Sequence, residues 1–220
     1  MNEYIKELNN VSLFSGIPPE KIKPMLTCLG SYIRTYKKGE FVSLSDDPVN
    51  CVGIVLNGIV HMIKEDLWGN KSILVIIKDM EVFGETFACA SSFPSTVSFF
   101  SASKTRILFM PFDKIMHTCS SSCIFHHKLI ENMVTLIANK NMQLMAKLEV
   151  LSRKTLRDKI LTYLSLQAQH HKSNYFQIPM GRTELADYLC ANRSALTREL
   201  SNMKADGLID FDKNTFHLVQ

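Results

Sequence analysis

The sequence lacks the features that would mark a membrane, secreted or zinc-binding protein. No apolar run approaches the roughly 18 residues that a membrane span needs, and the charged start MNEYIKELNN has no apolar core of signal-peptide length. The six cysteines form no CxxC pair and are scattered along 220 residues, a length that folds without disulfides. We therefore expect a cytoplasmic protein with no structural metal, no cofactor and no membrane partner.

The chain also has little net charge, only +4, but that charge is unevenly distributed. Residues 1–112 hold 11 basic and 11 acidic side chains, whereas residues 150–204 hold nine basic and four acidic ones. Hydrophobic residues at 46% and charged residues at 21% exclude a disordered chain, a collagen-like fibre and a coiled-coil rod. The composition thus predicts a neutral globular part followed by a basic module.

Short β-rich runs occupy the chain from Ile33 to Pro111. The pairs Lys38-Gly39, Asn57-Gly58 and Gly69-Asn70 separate them, and such pairs are typical of turns between antiparallel strands. Because no amphipathic helix intervenes, the pattern predicts an antiparallel β-barrel or roll.

The pattern becomes helical after Asp113. The segment Cys123–Leu151 contains no Gly or Pro, and a set of residues that is apolar except for one member recurs in it at spacings of three and four. This spacing favours a dimer seam in which the polar Asn141 fixes the register, although an amphipathic helix lying on its own domain is the alternative. The predicted seam consists of Ile130, Met133, Ile137, Asn141, Leu144 and Leu148.

The segment Arg182–Met203 has the spacing of a helix-turn-helix. Thr183 and Asn192 are suitable N-caps for its two helices, and Cys190 stands in the turn where Gly is usual, so we expect a positive φ there. Arginines beside short polar side chains suit base edges in the major groove, whereas a solvated charged face is the alternative. The DNA-binding candidates are Arg182, Thr183, Arg193, Ser194, Thr197, Arg198 and Ser201.

Taken together, these motifs resemble the CRP/FNR family of bacterial transcription regulators. The resemblance rests on Lys38–Glu40, Leu56–Gly58, Gly69–Lys71 and Phe83–Glu85, together with Arg182–Met203 and the following hairpin. It implies an α+β fold with an N-terminal antiparallel, jelly-roll-like β-roll sensor domain (1–112), a hinge and long dimerisation helix (113–151) and a C-terminal winged helix-turn-helix (152–220). It also implies a homodimer on a two-fold-symmetric operator in double-stranded DNA, with RNA polymerase as a further candidate partner.

By position, the resemblance makes Arg193, Ser194, Thr197 and Arg198 the residues that contact bases and phosphates. Better-studied members often have Glu where Ser194 stands, so their operator sequence is not transferred. Phosphate contacts are a further candidate role for three basic residues outside this set, the alternative being that they only solvate their helices: Arg153, Arg157 and Lys204.

The resemblance also gives the candidate effector pocket: Phe83, Gly84, Glu85, Ser95 and Thr96. Relatives that respond to cyclic AMP carry an arginine there, but no charged residue lies between Glu85 and Lys104. A buried phosphate would lack the cation that offsets its desolvation. We therefore expect an unknown small-molecule effector or a redox signal rather than cyclic AMP, and the Phe-rich wall leaves either an apolar ligand or simple core filling open. That wall consists of Phe87, Phe93, Phe99 and Phe100.

Other functions find less support in the sequence. Cys28 is the only cysteine before residue 51, so a clustered N-terminal iron–sulfur site is not expected. The sequence does not combine a nucleophile, a base and an oxyanion-binding turn into a complete catalytic site. We therefore expect no enzymatic activity. A nucleotide-binding-type regulator that controls a protein partner without DNA is the alternative function. A redox or metal role stays open for one group near the start of the long helix: His117, Cys119, Cys123, His126 and His127.

Overall fold

The computed structural model describes residues 4–66, 68–90, 94–117 and 124–219. Its packing divides the chain into two compact units, Met1–Ala138 and Asn139–Gln220, and the boundary falls within the longest helix. That boundary lies inside the central segment 113–151, and the three-part division of the chain stays a prediction.

The first unit consists mainly of short antiparallel strands with small helices at their ends. Its helices are α1 (Ile5–Leu8), α2 (Pro19–Cys28), α3 (Glu85–Cys89) and α4 (Phe112–Met116), with a 3₁₀ turn at Ser12–Phe14, and α5 (Ile124–Leu151) begins in it. Its strands are β1 (Tyr32–Tyr36), β2 (Phe41–Ser43), β3 (Cys51–Asn57), β4 (Val60–Glu65), β5 (Lys71–Ile77), β6 (Val82–Phe83), β7 (Ser98–Ser101) and β8 (Thr105–Pro111).

These strands form two four-stranded antiparallel sheets with the orders β1-β8-β3-β6 and β2-β7-β4-β5. Most neighbours are distant in sequence, as in a rolled sheet rather than a meander. The turn between β3 and β4 requires glycine, because Gly58 has φ +107° and a Cβ there would lie 2.6 Å from the Lys104 carbonyl oxygen. The predicted antiparallel β-roll is confirmed.

Strand β3 separates two apolar cores because its side chains alternate between the two faces. Val52, Ile54 and Leu56 pack with α1, α2 and the start of α5. Val55 instead faces the roll interior, where both sheets contribute buried side chains. That interior contains Tyr36, Val60, Ile77, Phe83, Val97, Phe99, Ile107 and Phe109.

The second unit contains the end of α5, three further helices and a small sheet. Its elements are α6 (Leu156–His171), β9 (Tyr175–Gln177), α7 (Arg182–Tyr188), α8 (Arg193–Ala205), β10 (Ile209–Asp212) and β11 (Thr215–Leu218). The sheet has the order β10-β11-β9, and the β10–β11 hairpin turns at Lys213, which has φ +50°. This arrangement confirms the winged helix-turn-helix and, with the roll, the α+β class.

The two helix starts in this motif differ from each other in how they are capped. The sequence predicts Thr183 as the N-cap of α7, and this is wrong, because the helix begins at Arg182 after Gly181. The Glu184 carboxylate accepts a hydrogen bond from the Gly181 N–H at 2.8 Å and so satisfies a donor before the first turn. Asn192 caps α8 as predicted, and Cys190 has the expected positive φ, +51°.

Strand β5 is an edge strand with an unusual surface. Ile73, Leu74, Val75 and Ile76 are all exposed, and Lys71 and Lys78 bound this apolar run. No helix among the described residues is both long enough and apolar enough to cross a membrane.

Candidate nucleic-acid interface and ligand region

Helix α8 presents one polar face to solvent and buries the opposite one. Leu196, Leu200 and Met203 are fully buried in the core of the second unit. The predicted contact residues on this helix are all exposed: Arg193, Ser194, Thr197, Arg198 and Ser201. We call these five residues the reading face. They are brought together because α8 is a regular helix whose apolar residues recur every three or four positions.

The short side chains of the reading face are already hydrogen-bonded to the helix itself. The Ser194 hydroxyl donates to the Asn192 side-chain oxygen at 2.7 Å, and the Thr197 hydroxyl donates to the Arg193 carbonyl at 2.9 Å. The Ser201 hydroxyl donates in the same way to the Thr197 carbonyl at 3.1 Å. Since a hydroxyl has one proton, these three groups retain only their acceptor lone pairs for an outside ligand.

The two arginines of the reading face differ from the other basic side chains nearby. Within the described part of the chain, Arg193 and Arg198 have no ion-pair partner. Arg157 pairs with Glu199 and Asp206, and Lys204 pairs with Asp210 at 2.5 Å. Two guanidinium forks are therefore available to a ligand, while the neighbouring cations are bound within the protein.

Arg182 lies against the wing rather than in the solvent. Its guanidinium carbon is 4.8 Å from the ring centroid of Phe211 and 5.2 Å from that of Phe216. Its Nη1 is buried, with no hydrogen-bond partner among the described residues, and burial lowers the pKa of Arg182 below its ordinary value. Thr183, the other candidate on α7, is exposed.

Arg153 is also held within the second unit. Its Nη2 forms an ion pair with Glu149 at 3.3 Å, and its Nε donates to the Thr162 hydroxyl at 3.1 Å. Both partners lie on the helices adjoining Arg153, and neither belongs to α7 or α8.

The candidate effector residues lie at the start of α3 and beside β7. Gly84, at φ +78°, precedes the buried Glu85, and Phe83 stands next to Phe99 with ring centroids 5.0 Å apart. Ser95 is fully buried, and its hydroxyl donates to the Val97 carbonyl at 2.7 Å. Thr96 is exposed.

These residues do not fit the phosphate of a cyclic nucleotide. Residues 86–103 supply no cation, and the Ser95 hydroxyl proton is used within its own loop. A monoanionic phosphate would leave water without an ion-pair partner or a free hydroxyl donor at Ser95. Phe87 packs edge-on against Phe99, whereas Phe93 lies outside the described residues.

The histidines near the start of α5 are in part bound to the main chain. His117 Nδ1 lies 2.6 Å from the Asp113 carbonyl oxygen, and the buried His126 has Nε2 2.8 Å from that of Ile115. Cys119 and Cys123 lie outside the described residues, and His127 is exposed. Among the residues that the structure describes, no three His, Cys, Asp or Glu side chains are grouped as metal ligands.

Four of the six predicted seam positions of α5 are exposed to solvent. Ile137 and Asn141 are exposed, and Leu144 and Leu148 are 67% and 68% exposed. Met133 is only 1% exposed because it packs in the core of the first unit. The next residue, Val134, is exposed in its place, and the sequence pattern did not predict it. Ile130 is half-buried.

Known proteins resemble both parts of the chain. The model for the cyclic nucleotide-binding domain matches residues 33–122, and that for the Crp-like helix-turn-helix domain matches residues 158–220. The transcriptional activator protein FnrL of Cereibacter sphaeroides is 24% identical over 198 residues, 81% of this chain and 72% of that protein. The transcriptional activator protein Anr of Pseudomonas aeruginosa is 22% identical over 191 residues, 84% and 76% respectively.

A solved structure agrees with these matches at the level of the fold. The catabolite activator protein of Thermus thermophilus superposes with a TM-score of 0.56 at 21% identity. The alignment covers 94% of this chain and 93% of that one.

Proposed function

The chain belongs to the CRP/FNR family of DNA-binding transcription regulators, and from this membership we propose that it reads a two-fold-symmetric operator as a homodimer. The reading face of α8 is the observation that carries the proposal. Arg193 and Arg198 have no acidic partner in the described part of the chain, and a guanidinium can bond O6 and N7 of guanine together. Helix α8 is the part of this domain that would enter the major groove.

The hydroxyl groups of the reading face add a second element to the recognition. Ser194, Thr197 and Ser201 use their protons within the helix, so they accept hydrogen bonds from DNA. Amino groups of adenine or cytosine are the matching donors in the major groove. Each half-site is therefore expected to combine guanines with positions that carry an amino group on the contacted strand.

The proposed dimer uses the exposed apolar face of α5. Together with Asn141, the exposed residues Val134, Ile137, Leu144 and Leu148 lie at alternating spacings of three and four, the pattern of a two-helix seam. Asn141 takes the polar position within it. Two copies joined along this helix would present two reading faces to the two half-sites of one operator.

The β-roll is the proposed sensor, and its effector is not cyclic AMP. The proposal rests on residues 86–103, which carry no charge, and on the Ser95 hydroxyl bonded to its own loop. A regulator of this kind would act in the cytoplasm, where it meets DNA and RNA polymerase, and would have no enzymatic activity of its own.

Selection of bound sequences from a random DNA pool tests the proposed function, using the full chain. We expect one two-fold-symmetric motif. Arg193→Ala with Arg198→Ala should then weaken binding to that motif by roughly 100-fold or more, because each bidentate pair contributes about 1–3 kcal/mol. Lys172→Ala, at the end of α6, is the matched control and should bind as the parent does. Unchanged binding by the double variant would instead favour a regulator that acts through a protein partner.

A further inference from the structure

Arg157 connects α6 directly to the helix that carries the reading face. Its Nε donates a hydrogen bond to Glu199 Oε1 at 2.5 Å, and its Nη1 donates to Asp206 Oδ2 at 2.7 Å. Glu199 lies in the middle of α8, and Asp206 is its C-cap. One guanidinium therefore holds two points of α8 that are seven residues, or about 10 Å of helix rise, apart.

The two acidic residues lie on a different side of α8 from the groups that would meet DNA. A spacing of seven puts Glu199 and Asp206 on one face, away from the face that carries Thr197 and Ser201. The side chain of Glu199 is only 23% exposed, whereas the reading face is solvated. Arg157 thus contacts α8 without occupying any position of the reading face.

One of the two acidic residues, Asp206, carries its charge where the helix alone would disfavour it. Asp206 stands at the C-terminus of α8, where the helix dipole is unfavourable to a carboxylate. A cation at this point offsets that cost. The hydrogen bond to Glu199, and to a lesser extent the one to Asp206, raises the pKa of Arg157 above its ordinary value. Ion pairs that are this solvated add little to stability, so their main consequence is geometric.

We propose that Arg157 is a positioning residue for operator recognition, which fixes the rotation and axial position of α8 on α6 and does not itself bind DNA. The inference rests on the proposed function. Bidentate hydrogen bonds to a base edge need donor–acceptor distances near 2.9 Å and near-linear geometry. A small rotation of α8 therefore weakens specific binding, whereas contacts to phosphates adapt to it.

The test compares Arg157→Gln and Glu199→Gln in the full chain. Dissociation constants are measured for the selected operator and for an unrelated duplex of equal length, each over a range of salt concentrations. We expect each variant to weaken operator binding about tenfold and to leave binding to the unrelated duplex within about twofold. The double variant should be no weaker than Arg157→Gln alone, because that substitution already removes the contact with Glu199.

Arg153→Gln is the matched control. It removes the same charge from the same region, but the partners of Arg153 are Glu149 and Thr162 rather than α8. The ratio of its affinity for the operator to its affinity for the unrelated duplex should equal that of the parent protein. Arg157→Lys, which keeps the charge but has one point of contact, should lie between the parent and Arg157→Gln.

If Arg157 instead contacts a DNA phosphate, Glu199→Gln should change the affinity for DNA in the opposite direction. In that case Arg157→Gln weakens binding to both duplexes. The negative slope of log affinity against log salt concentration then becomes shallower by about 0.9, because one phosphate contact is lost. Glu199→Gln then tightens binding, since it removes a negative charge near DNA. Either result overturns the positioning role. A parent protein that does not discriminate the operator would instead contradict the proposed function itself.

Discussion

The ring of Phe83 lies directly over Gly53, its cross-strand partner between β3 and β6. A Cβ on Gly53 would stand 2.5 Å from two carbons of that ring. The ring is itself held by Phe99 and Phe109, whose centroids are 5.0 and 6.5 Å away. Gly53 is therefore required by close packing inside the roll rather than by an unusual backbone conformation.

Gly53→Ala should destabilise the protein by about 1–3 kcal/mol, because the added methyl group forces the packed ring aside. Urea unfolding monitored by circular dichroism measures the effect. Phe83→Leu makes room at the same place, so the double variant should cost less than the sum of the two single ones. A loss below about 0.5 kcal/mol for Gly53→Ala would contradict this account of the packing.

A charge on the proposed seam should prevent dimerisation. Leu144→Glu or Leu148→Glu would place two carboxylates against an apolar interface, and the dimer dissociation constant should rise by at least about 100-fold. Sedimentation equilibrium measures it. Met142 is 67% exposed, as Leu144 is, but lies off the seam. Met142→Glu should leave the dimer intact, and equal effects of the two substitutions would argue for a different interface.

Cyclic AMP should neither bind the full chain nor alter its affinity for the operator. The physical reason is the uncharged segment 86–103, which offers no cation to the phosphate. Isothermal titration and a gel shift with and without the nucleotide test the two statements separately. Micromolar binding together with a change in operator affinity would refute both.

The contact between Lys204 and Asp210 should add a small, acid-sensitive contribution to the stability of the second unit, because both side chains are more than half exposed. The hydrogen bond from Lys204 and, to a lesser extent, the one from the Phe211 N–H lower the pKa of Asp210 below its ordinary value. A carboxyl group whose pKa is lower in the folded than in the unfolded protein stabilises the fold at every pH above its unfolded pKa. This contribution disappears as the pH falls through its folded pKa. Asp210→Asn should therefore lower the melting temperature at pH 5–7 but not at the lowest pH.

The matched control for that experiment is Asp212→Asn at the end of the same strand. Asp212 forms no ion pair with any residue that the structure describes. Thermal unfolding followed from pH 2 to pH 7 should give a pH-independent difference between this variant and the parent. A pH-independent difference for Asp210→Asn as well would mean that the contact does not contribute.

Local patterns were sufficient to predict the order of the domains and most of the elements. Glycine turns and alternating residues indicated the strands, and the leucine spacing between Leu185 and Leu200 indicated two crossing helices. The N-cap of α8 followed from Asn192 alone. The start of α7 did not follow from Thr183, because its capping group, Glu184, acts from inside the helix.

The roles of individual charges could not be predicted from the sequence. Arg157 and Glu199 are 42 residues apart, and nothing local links them. The place of Arg182 in the motif makes it a candidate for DNA contact, and its stacking on Phe211 and Phe216 depends on how the wing folds back, which no local pattern predicts. Similarly, the seam spacing fits Met133 and Val134 almost equally well, and only the core of the first unit decides which one is buried.

The lysines at the two ends of the exposed apolar run in β5 bear on whether this edge strand self-associates. An apolar edge with free main-chain groups is a template on which further strands add. If two copies paired antiparallel about the centre of β5, Lys71 of each copy would oppose Ile77 of the other and so stand next to its Lys78. Like charges brought together across a strand pair destabilise it. The two lysines thus disfavour the addition of further strands at this edge, where four consecutive apolar side chains of the roll are open to solvent.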